Sequence, residues 1–394
     1  MRERVPSDSL KKNFSNRPGY GKIKNGSFKD PERHGRKMTA SERLADLLHL
    51  KANTAAVIHD PSNIFYLTEG YSGEGLVYLT AERRVIITDF RYVEAAEKTA
   101  LGFEIAMTDK DHPHEKRLAE LCEADGINEL YFESNYVPVD DFEKLRAAVG
   151  EEVSWTPLKK APQQLRQIKT PTEVLTIRKA CAITSEAFET VLGKIRPGMT
   201  ETELRLELEN TMYRLGAETL AFDTIIASGE NGSLPHAVPG TRKLQKGDMI
   251  TMDFGAKVGG YCSDMTRTVA LGEPSPEMRK VYNTVLRAQT MCEAALAAGK
   301  NCFEIDKLAR DYIDSQGYAG RFGHGLGHCV GIDIHEDPRL SPSCHDTLKA
   351  GMVITVEPGV YLPGVGGVRI ENTCLVRDNG SEALTTARKE LIIL

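Results

Sequence analysis

The sequence lacks any apolar run long enough to cross a membrane. No stretch of about 18 consecutive apolar residues occurs in its 394 residues, and the polar N-terminus has no apolar segment of the kind found in secretory signals. The eight cysteines are scattered and form no Cys-x-x-Cys pair. We therefore expect a cytoplasmic protein with reduced thiols, in which Cys262 and Cys329 are packing residues and not metal ligands.

A general excess of positive charge is also missing. The net charge is −6, which gives no reason to expect nucleic acid or a membrane surface as a partner. Residues 1–37 are the exception, with eleven Lys and Arg against four Asp and Glu and few apolar side chains. This composition predicts a basic, disordered tail, with Met38 as an alternative start of the chain. A nucleic-acid-binding arm is the other interpretation, and the acidic balance of the remaining residues disfavours it.

The length indicates two domains after this tail. Over residues 38–165, short apolar segments alternate with amphipathic ones, which predicts a small α/β domain. The predicted strands are 54–59, 75–80, 84–88 and 128–133, and the predicted helices are 92–100, 114–124 and 139–149. Residues 63–68 are interpreted as a loop and turn, and residues 155–162 as a linker.

Residues 166–394 follow a different pattern, in which two helices and then a set of strands occur twice. The predicted helices are 171–194, 200–215, 276–298 and 302–316. Thr200 is a helix N-cap, and Glu203 completes its capping box. Strands are expected from 222 to 271 and again from about 322. The repeat predicts a duplicated α+β unit around a shared central sheet.

Four carboxylates occupy matching positions in this repeat. Residues 246–255 and 350–359 align without gaps through a shared Ile-Thr and a final Gly, which places Asp253 opposite Glu357. Asp264 and Glu371 follow, each in a second apolar stretch. An acid within an apolar strand costs several kcal/mol unless a partner compensates its charge. Solvated acids on exposed strand faces are the alternative, but four acids in duplicated register favour bound cations.

The turns between these strands indicate how the acids meet. Gly259-Gly260 predicts a hairpin, and a two-residue loop at Val258-Gly259 would place Asp253 directly across from Asp264. A β-bulge would shift this register by one residue. A second turn near Gly364 would bring Glu357 toward Glu371. Two facing carboxylates repel each other, and a divalent cation removes the conflict.

Four histidines lie in loops shaped by glycine and proline. His324 and His328 are four residues apart, but three glycines in residues 323–328 make a helix unfavourable. We therefore expect at most one of this pair to be a metal ligand, with the other free for substrate. His335 and His236 complete the set. A lone histidine is usually structural, whereas four beside four strand acids indicate a site.

The order of these acids and histidines resembles that of the pita-bread metallopeptidases, which include methionine aminopeptidase, aminopeptidase P and prolidase. Residues 324–331, 335–338, 356–359 and 367–371 are similar to the aminopeptidase P and prolidase branch. Residues 38–165 resemble the creatinase-type N-terminal domain of that branch. The resemblance implies a pita-bread catalytic domain at 166–394 with an internal pseudo-two-fold axis, and a homodimer. Creatinase shares this architecture without the metal ligands, whereas all five ligand positions are filled here.

The resemblance also implies a pair of metal ions. One would be held by Asp253, Asp264 and Glu371. The second would take four ligands, namely Asp264, His328, Glu357 and Glu371, so that two carboxylates bridge. A set of carboxylate oxygens with one imidazole suits Mn²⁺, with Co²⁺, Fe²⁺ or Zn²⁺ as alternatives. Two such ions lower the pKa of a shared water.

Roles for the other residues follow from the same resemblance. His236 and His335 would position the substrate and stabilise the oxyanion. Glu357 would also carry a proton toward the leaving nitrogen. His324 would face the residue after the scissile bond. Arg369 would orient the bridging carboxylate of Glu371 without binding a metal ion itself.

The implied activity is hydrolysis of the bond between an N-terminal residue and a following proline, as in an Xaa-Pro aminopeptidase. The alternative within the family is an Xaa-Pro dipeptidase, or prolidase, and the sequence motifs do not separate the two. A metal-free binding or scaffold protein on the same fold is the alternative of another class, and the intact ligand set disfavours it.

Overall fold

The computed structural model describes residues 32–33 and 36–394. The basic segment predicted to be a disordered tail therefore lies largely outside the described residues. Its described part forms two short antiparallel strands, β1 (Glu32–Arg33) and β2 (Arg36–Lys37). Among the described residues, no helix is both long and apolar enough to span a bilayer.

The first part of the chain forms a six-stranded mixed sheet covered by helices, as the α/β prediction requires. Its elements are α1 (Ala40–Leu47), β3 (Thr54–Ile58), α2 (Pro61–Leu67), β4 (Leu76–Leu79), β5 (Arg84–Asp89), α3 (Phe90–Thr99), β6 (Glu104–Thr108), α4 (His114–Ala124), β7 (Glu129–Phe132), α5 (Val139–Val149), β8 (Ser154–Pro157) and α6 (Ala161–Arg166). The strand order is β6-β5-β4-β3-β7-β8. The two pairings of β4 are antiparallel, and the other three are parallel.

Two predictions in this part of the chain are wrong. Residues 63–68 are not a loop, because helix α2 covers most of them. Asp60 caps this helix through a hydrogen bond from Ser62 N, and Pro61 takes its first position, which is a regular start signal. Residues 155–162 are not a linker either, because they form the end of β8 and the start of α6.

The second part of the chain repeats a helix pair followed by strands, which confirms the predicted duplication. The first unit contains α7 (Pro171–Leu192), α8 (Glu201–Arg214), β9 (Thr219–Leu220), β10 (Ile225–Ser228), β11 (Met249–Phe254), β12 (Ala256–Val258), β13 (Tyr261–Cys262) and β14 (Met265–Ala270). The second contains α9 (Pro276–Ala295), α10 (Cys302–Ile313), β15 (Gly327–Cys329), β16 (Glu336–Leu340), β17 (Val353–Val356), β18 (Gly359–Leu362), β19 (Gly366–Arg369), β20 (Asn372–Arg377) and β21 (Gly380–Ala383). Thr200 caps α8 in the predicted capping box.

Each unit buries its helices against its own sheet. In the first unit, Phe188 of α7 packs in one core with Met252 of β11. In the second unit, Val285 of α9 lies in one core with Ile354 of β17. Besides the small sheets β13-β12-β9 and β18-β19, the two units form the sheets β10-β11-β14 and β16-β15-β17-β20-β21. They meet where Glu371 N donates to the carbonyl oxygen of Thr266 across 3.1 Å.

The first hairpin turns one residue later than predicted, which moves the pairing of its strands by two residues. Gly259 and Gly260 form the two-residue loop, with φ angles of 53° and 77°, and Val258 pairs with Tyr261. This conformation has positive φ at both positions, which glycine adopts without strain. Asp253 consequently pairs with Thr266 and not with Asp264.

The strands are also interrupted where the acids lie. Asp264 falls in the break between β13 and β14, and Glu371 falls in the break between β19 and β20. Glu357 occupies the corresponding break between β17 and β18, whereas Asp253 is the penultimate residue of β11. The breaks free these side chains from strict alternation, so the acids converge although they do not face each other in the ladder.

Candidate metal centre and substrate cleft

Three of the four acids converge on one point at the junction of the two units. Asp253, Asp264 and Glu371 each place a carboxylate oxygen within 4.8 Å of the other two. Asp264 and Glu371 are buried, and Asp253 is partly buried. Neighbouring carboxylates at this distance repel unless protons or a cation compensate their charge.

His328 and Glu357 extend this group on one side. His328 Nε2 lies 3.5 Å from Asp264 Oδ2 and 3.4 Å from Glu357 Oε1. The Nδ1 atom of His328 is 3.1 Å from the carbonyl oxygen of Cys329, which fixes the other ring nitrogen toward the acids. His328 lies in strand β15 and not in a helix, as its glycine neighbours predicted. All five ligands predicted from the sequence therefore lie next to one another in space.

Hydrogen bonds occupy some oxygens of these carboxylates and leave others free. Thr266 Oγ1 donates to Glu371 Oε2 at 2.7 Å, and Arg369 Nη2 donates to Asp253 Oδ2 at 2.6 Å. The remaining oxygens, Asp253 Oδ1 and Glu371 Oε1, are buried with no hydrogen-bond partner. A buried oxygen without a partner is costly, so these two atoms fit a bound cation.

The pKa values of these acids reflect the repulsion between neighbouring carboxylates. Burial, followed by the negative charges of neighbouring carboxylates, raises the pKa of Asp264 and of Glu371 well above the ordinary values. Burial also raises the pKa of Glu357 to about 8. A divalent cation among them would compensate the negative charge and favour the ionised forms. The donor set of carboxylate oxygens and one imidazole is suited to such an ion.

The centre opens into a cleft of about 420 Å³. The five predicted ligands line it together with His236, His324, His335 and Arg369, so every predicted site residue belongs to one cavity. Apolar side chains complete the wall, namely Phe222, Ile225, Pro235 and Ile334. An apolar wall with a few convergent polar groups is typical of a small-molecule site.

The cleft histidines differ in their availability to a ligand. His236 and His335 are exposed in the cleft. Burial, followed by the positive charge of Arg339, lowers the pKa of His335, and its ring centroid lies 4.5 Å from that of His328. His324 is partly buried, and burial lowers its pKa to about 4. A neutral imidazole at His324 or His335 can donate one hydrogen bond from one ring nitrogen and accept one at the other.

Tyr361 connects His324 to Arg369, and sequence reasoning missed it. The Tyr361 hydroxyl accepts from Arg369 Nη1 at 2.9 Å and lies 2.8 Å from His324 Nε2. Because Arg369 can only donate, the hydroxyl is free to donate to His324. His324 Nδ1 then donates to the carbonyl oxygen of Gly325 at 2.8 Å.

Arg369 reaches Asp253 and Glu371 by different routes. Its guanidinium does not contact the Glu371 carboxylate directly but donates to Asp253 and, at 3.2 Å, to Thr266 Oγ1. Thr266 in turn donates to Glu371. Arg369 therefore orients Asp253 directly and Glu371 only through a threonine.

A buried acid in each unit anchors the loop that carries a cleft histidine. Glu201, the first residue of α8, accepts hydrogen bonds from Ser228 N at 2.8 Å and from Gly240 N at 3.2 Å. These bonds hold both ends of the loop that contains His236. In the second unit, Asp306 of α10 accepts from Leu326 N at 3.0 Å, beside His324. The two units thus share one arrangement, in which a buried acid accepts backbone hydrogen bonds from the loop of a cleft histidine.

Comparison with known proteins agrees with this architecture. Residues 176–378 match Metallopeptidase family M24, and residues 41–168 match the Creatinase/Prolidase N-terminal domain. An uncharacterized peptidase of Bacillus subtilis, YqhT, is 38% identical over 90% of this chain and 99% of its own length.

Solved structures give the same result. A structure described as Xaa-Pro dipeptidase from Bacillus anthracis has a TM-score of 0.86 and 39% identity, covering 90% of this chain and 99% of its own. One described as X-Pro aminopeptidase from Thermotoga maritima has a TM-score of 0.83 and 33% identity, covering 89% and 100%. The fold, the converging acids and these similarities lead to one conclusion: the chain belongs to metallopeptidase family M24, with a creatinase/prolidase N-terminal domain before its pita-bread catalytic domain.

Proposed function

We propose that this peptidase is an Xaa-Pro dipeptidase, which hydrolyses a dipeptide whose second residue is proline. The observation that carries the proposal is Arg339. Arg339 lies in strand β16, where it pairs with His328 of β15, and its side chain lines the cleft. It forms no ion pair with any residue in the described part of the chain. A guanidinium without an ion-pair partner in the wall of the cleft can bind the C-terminal carboxylate of a dipeptide. The family resemblance implied the aminopeptidase first and the dipeptidase as the alternative; Arg339 and the similarity to an Xaa-Pro dipeptidase support the alternative.

The proline preference rests on the family resemblance and on the chemistry of the bond. The amide before proline has no N–H, so a peptidase that requires this donor handles it poorly. In this cleft the chain offers mainly side-chain donors, from the exposed His236 and His335, and these can act on the carbonyl oxygen instead. An apolar ring fits beside Phe222 and Ile225, which are part of the wall.

We propose the ligand assignment that the sequence predicted. Asp253, Asp264 and Glu371 would hold one divalent ion, and Asp264, His328, Glu357 and Glu371 the other, with Mn²⁺ as the preferred metal. The two partnerless oxygens of Asp253 and Glu371 support this assignment. When bound, the ions supply a water of lowered pKa and polarise the carbonyl group.

The side chains around this centre would each have a separate role in the reaction. His335 and His236 would donate hydrogen bonds to the substrate carbonyl oxygen as negative charge develops on it. Glu357, held by Thr355 Oγ1 at 3.2 Å, would take a proton and transfer it to the leaving proline nitrogen. His324, fixed by Tyr361, would contact the proline residue.

An Xaa-Pro aminopeptidase is the second candidate, and the open rim of the cleft favours it. Leu234 and Val238 flank His236 and are 58% and 86% exposed. Apolar residues at the mouth of a cleft can bind the continuation of a longer peptide. The similarity to the X-Pro aminopeptidase of Thermotoga maritima supports the same activity.

Three substrates separate these candidates with Mn²⁺ present. Ala-Pro and Ala-Pro-Ala test length preference, and Ala-Ala tests the need for proline. A dipeptidase should cleave Ala-Pro with the highest kcat/KM, whereas faster cleavage of Ala-Pro-Ala would favour the aminopeptidase. Equal rates on Ala-Pro and Ala-Ala would refute the proline preference.

The Arg339→Met variant tests the carboxylate contact itself. It should raise KM for Ala-Pro but leave KM for Ala-Pro-amide unchanged, since the amide has no carboxylate to bind. Loss of one charge-assisted contact costs about 1.5–3 kcal/mol, or roughly 10- to 100-fold in KM. An equal effect on both substrates would contradict this role of Arg339.

A further inference from the structure

The residue after His335 is a buried acid held by two buried cations. Arg166 Nη2 donates to Glu336 Oε1 at 2.5 Å, and Lys169 Nζ donates to Glu336 Oε2 at 2.8 Å. Arg166 and Lys169 are only 3% and 2% exposed. Both precede the catalytic domain's first helix, so the segment joining the two domains reaches the active-site loop. Buried charges are kept only where partners compensate them, and here each oxygen of the acid has its own cation.

The same carboxylate organises the turn that carries His335. Glu336 Oε1 accepts hydrogen bonds from Ile332 N at 3.1 Å and from Asp333 N at 3.3 Å. Gly331 packs against the carboxylate so closely that a Cβ atom there would lie 2.5 Å from Oε1. The turn from 331 to 335 therefore wraps around one carboxylate, and the position of that carboxylate determines where His335 lies.

The other side of Arg166 is bound to the N-terminal domain. Arg166 Nη1 donates to Asn63 Oδ1 at 2.8 Å, and Asn63 Nδ2 donates to Glu133 Oε1 at 2.6 Å. Asn63 is fully buried in helix α2, and Glu133 follows strand β7. A continuous path of hydrogen bonds thus runs from the central strands of the first domain to the turn of His335.

A second contact between the domains supports the first. Ser62 Oγ of α2 donates to Asp333 Oδ1 at 2.5 Å, and Arg166 Nη2 donates to Asp333 Oδ2 at 2.6 Å. Asp333 and Glu336 therefore share one guanidinium. Because both acids belong to the 331–336 segment, Ser62 and Arg166 bind this segment at two points.

We propose that Arg166 and Glu336 are positioning residues, through which the N-terminal domain holds His335 at the geometry needed for catalysis. The inference rests on the proposed function to the extent that His335 acts on the substrate. It assigns a role to the N-terminal domain, which contributes no residue to the described cleft. A displacement of about 1 Å at a reacting group can lower the rate on the order of 10²-fold.

The kinetic test compares variants of Arg166 in the full-length, Mn²⁺-loaded protein. Arg166→Met should lower kcat for Ala-Pro on the order of 10²-fold with a smaller change in KM, and Arg166→Lys should restore part of the loss. Lys144→Met is the control, because Lys144 pairs with Asp141 on the surface of the same domain at 2.9 Å and should leave kcat unchanged.

A double substitution shows whether Arg166 acts through His335. If it does, adding Arg166→Met to His335→Ala should lower kcat little beyond His335→Ala alone. Multiplicative effects of the two changes would overturn the proposal, as would a kcat for Arg166→Met within about twofold of the unaltered enzyme. Bound metal, measured by elemental analysis, should stay at the level of the unaltered protein, since none of the proposed ligands contacts Arg166.

Hydrogen exchange provides a readout that needs no substrate. Arg166→Met should accelerate amide exchange in residues 331–337, with no change in β17 or β20. Unchanged exchange in 331–337 would overturn the proposal even if activity were lost. If the unaltered enzyme cleaves no Xaa-Pro peptide, the proposed function fails, and this measurement still decides the inference. Should Arg166→Met not fold, Ser62→Ala and Glu336→Gln carry the same exchange prediction.

Discussion

Arg369 donates from Nη2 to Oδ2 of Asp253 at 2.6 Å, and this contact leaves the other carboxylate oxygen, Oδ1, as the buried atom without a partner. The arginine thereby determines which oxygen of Asp253 is available to a cation. The same guanidinium reaches Glu371 through Thr266 and His324 through Tyr361. One side chain thus orients a candidate ligand on each side of the pseudo-two-fold junction.

Removing this guanidinium should disturb both stability and metal binding. Arg369→Met leaves the Asp253 carboxylate without its ion-pair partner, and breaking such a buried pair costs about 3–5 kcal/mol. We expect a lower Tm and weaker Mn²⁺ binding, measured by calorimetry. Arg388→Met is the control, because it removes an exposed pair with Glu189 and should leave both unchanged. Unaltered Mn²⁺ affinity in Arg369→Met would contradict the assignment.

The ligand assignment predicts unequal effects of two substitutions on metal content. Asp264→Ala removes a proposed bridging ligand and should abolish tight binding of both ions. His328→Ala removes a ligand of one ion and should weaken mainly the binding of that ion. Elemental analysis after dialysis measures both outcomes. Two tightly held ions in Asp264→Ala would rule out the bridging role.

Without metal, stability should fall as the pH rises. Burial raises the pKa of Glu357 to about 8 in the folded protein, from an ordinary value of 4.5. A group with a raised folded-state pKa stabilises the fold below its ordinary pKa, and this contribution is lost as the pH rises toward the folded-state value. The Tm of the metal-free protein should therefore decrease between about pH 7 and pH 8, above the range in which His324 and His328, whose pKa values burial lowers, contribute the opposite slope. Saturating Mn²⁺ should remove this decrease, and a metal-free Tm independent of pH would be inconsistent with the buried acids.

His335→Ala should lower kcat more than it changes KM. The hydrogen bond that His335 donates strengthens only as the carbonyl oxygen gains charge, so its loss affects the transition state more than the bound substrate. The expected decrease in kcat is on the order of 10²–10³. His345→Ala serves as the control, since His345 stacks against Phe303 and does not line the cleft. A rise in KM alone would assign His335 to substrate binding only.

The basic segment should be dispensable for folding and activity. A chain beginning at Met38 keeps the N-cap Thr39 and the capping box of helix α1, so its first helix retains its start signal. We expect soluble protein with unchanged kcat/KM and a Tm within about 2 °C of the full chain. Aggregation of the shorter chain, or loss of its turnover, would show that residues 1–37 contribute.

The converging acids could be predicted because their pattern is local. Two segments that align without gaps, each with an acid in an apolar strand, are visible in the sequence alone. The predicted turn was one residue too early and the strand pairing therefore wrong by two, because the choice of loop depends on φ at Gly259 and Gly260. The acids converge in spite of this error because Asp264 and Glu371 lie in strand breaks, where side chains do not follow the alternation of the ladder.

The contacts that support the site could not be predicted in the same way. Arg369 and Asp253 are 116 positions apart, and Arg166 and Glu336 are 170 apart. No periodicity connects residues at such separations, and a single arginine has no local signature of its partner. Residues 63–68 show a related limit: Asp60 and Pro61 form a regular helix start, but the apolar run was interpreted without its cap.

The location of the acids in breaks between two half-sheets also determines when the centre can form. Thr266 and Glu371, which meet at its floor, are 105 residues apart, and the ligands come from both units. Closing so long a loop costs chain entropy before any contact is gained, so contacts between the two units form less readily than contacts within each unit. A nascent chain with only its first unit complete holds Asp253 and Asp264 but neither glutamate. Tight metal binding by the full set of proposed ligands therefore requires both units to be docked, and bound ions would stabilise the docked arrangement.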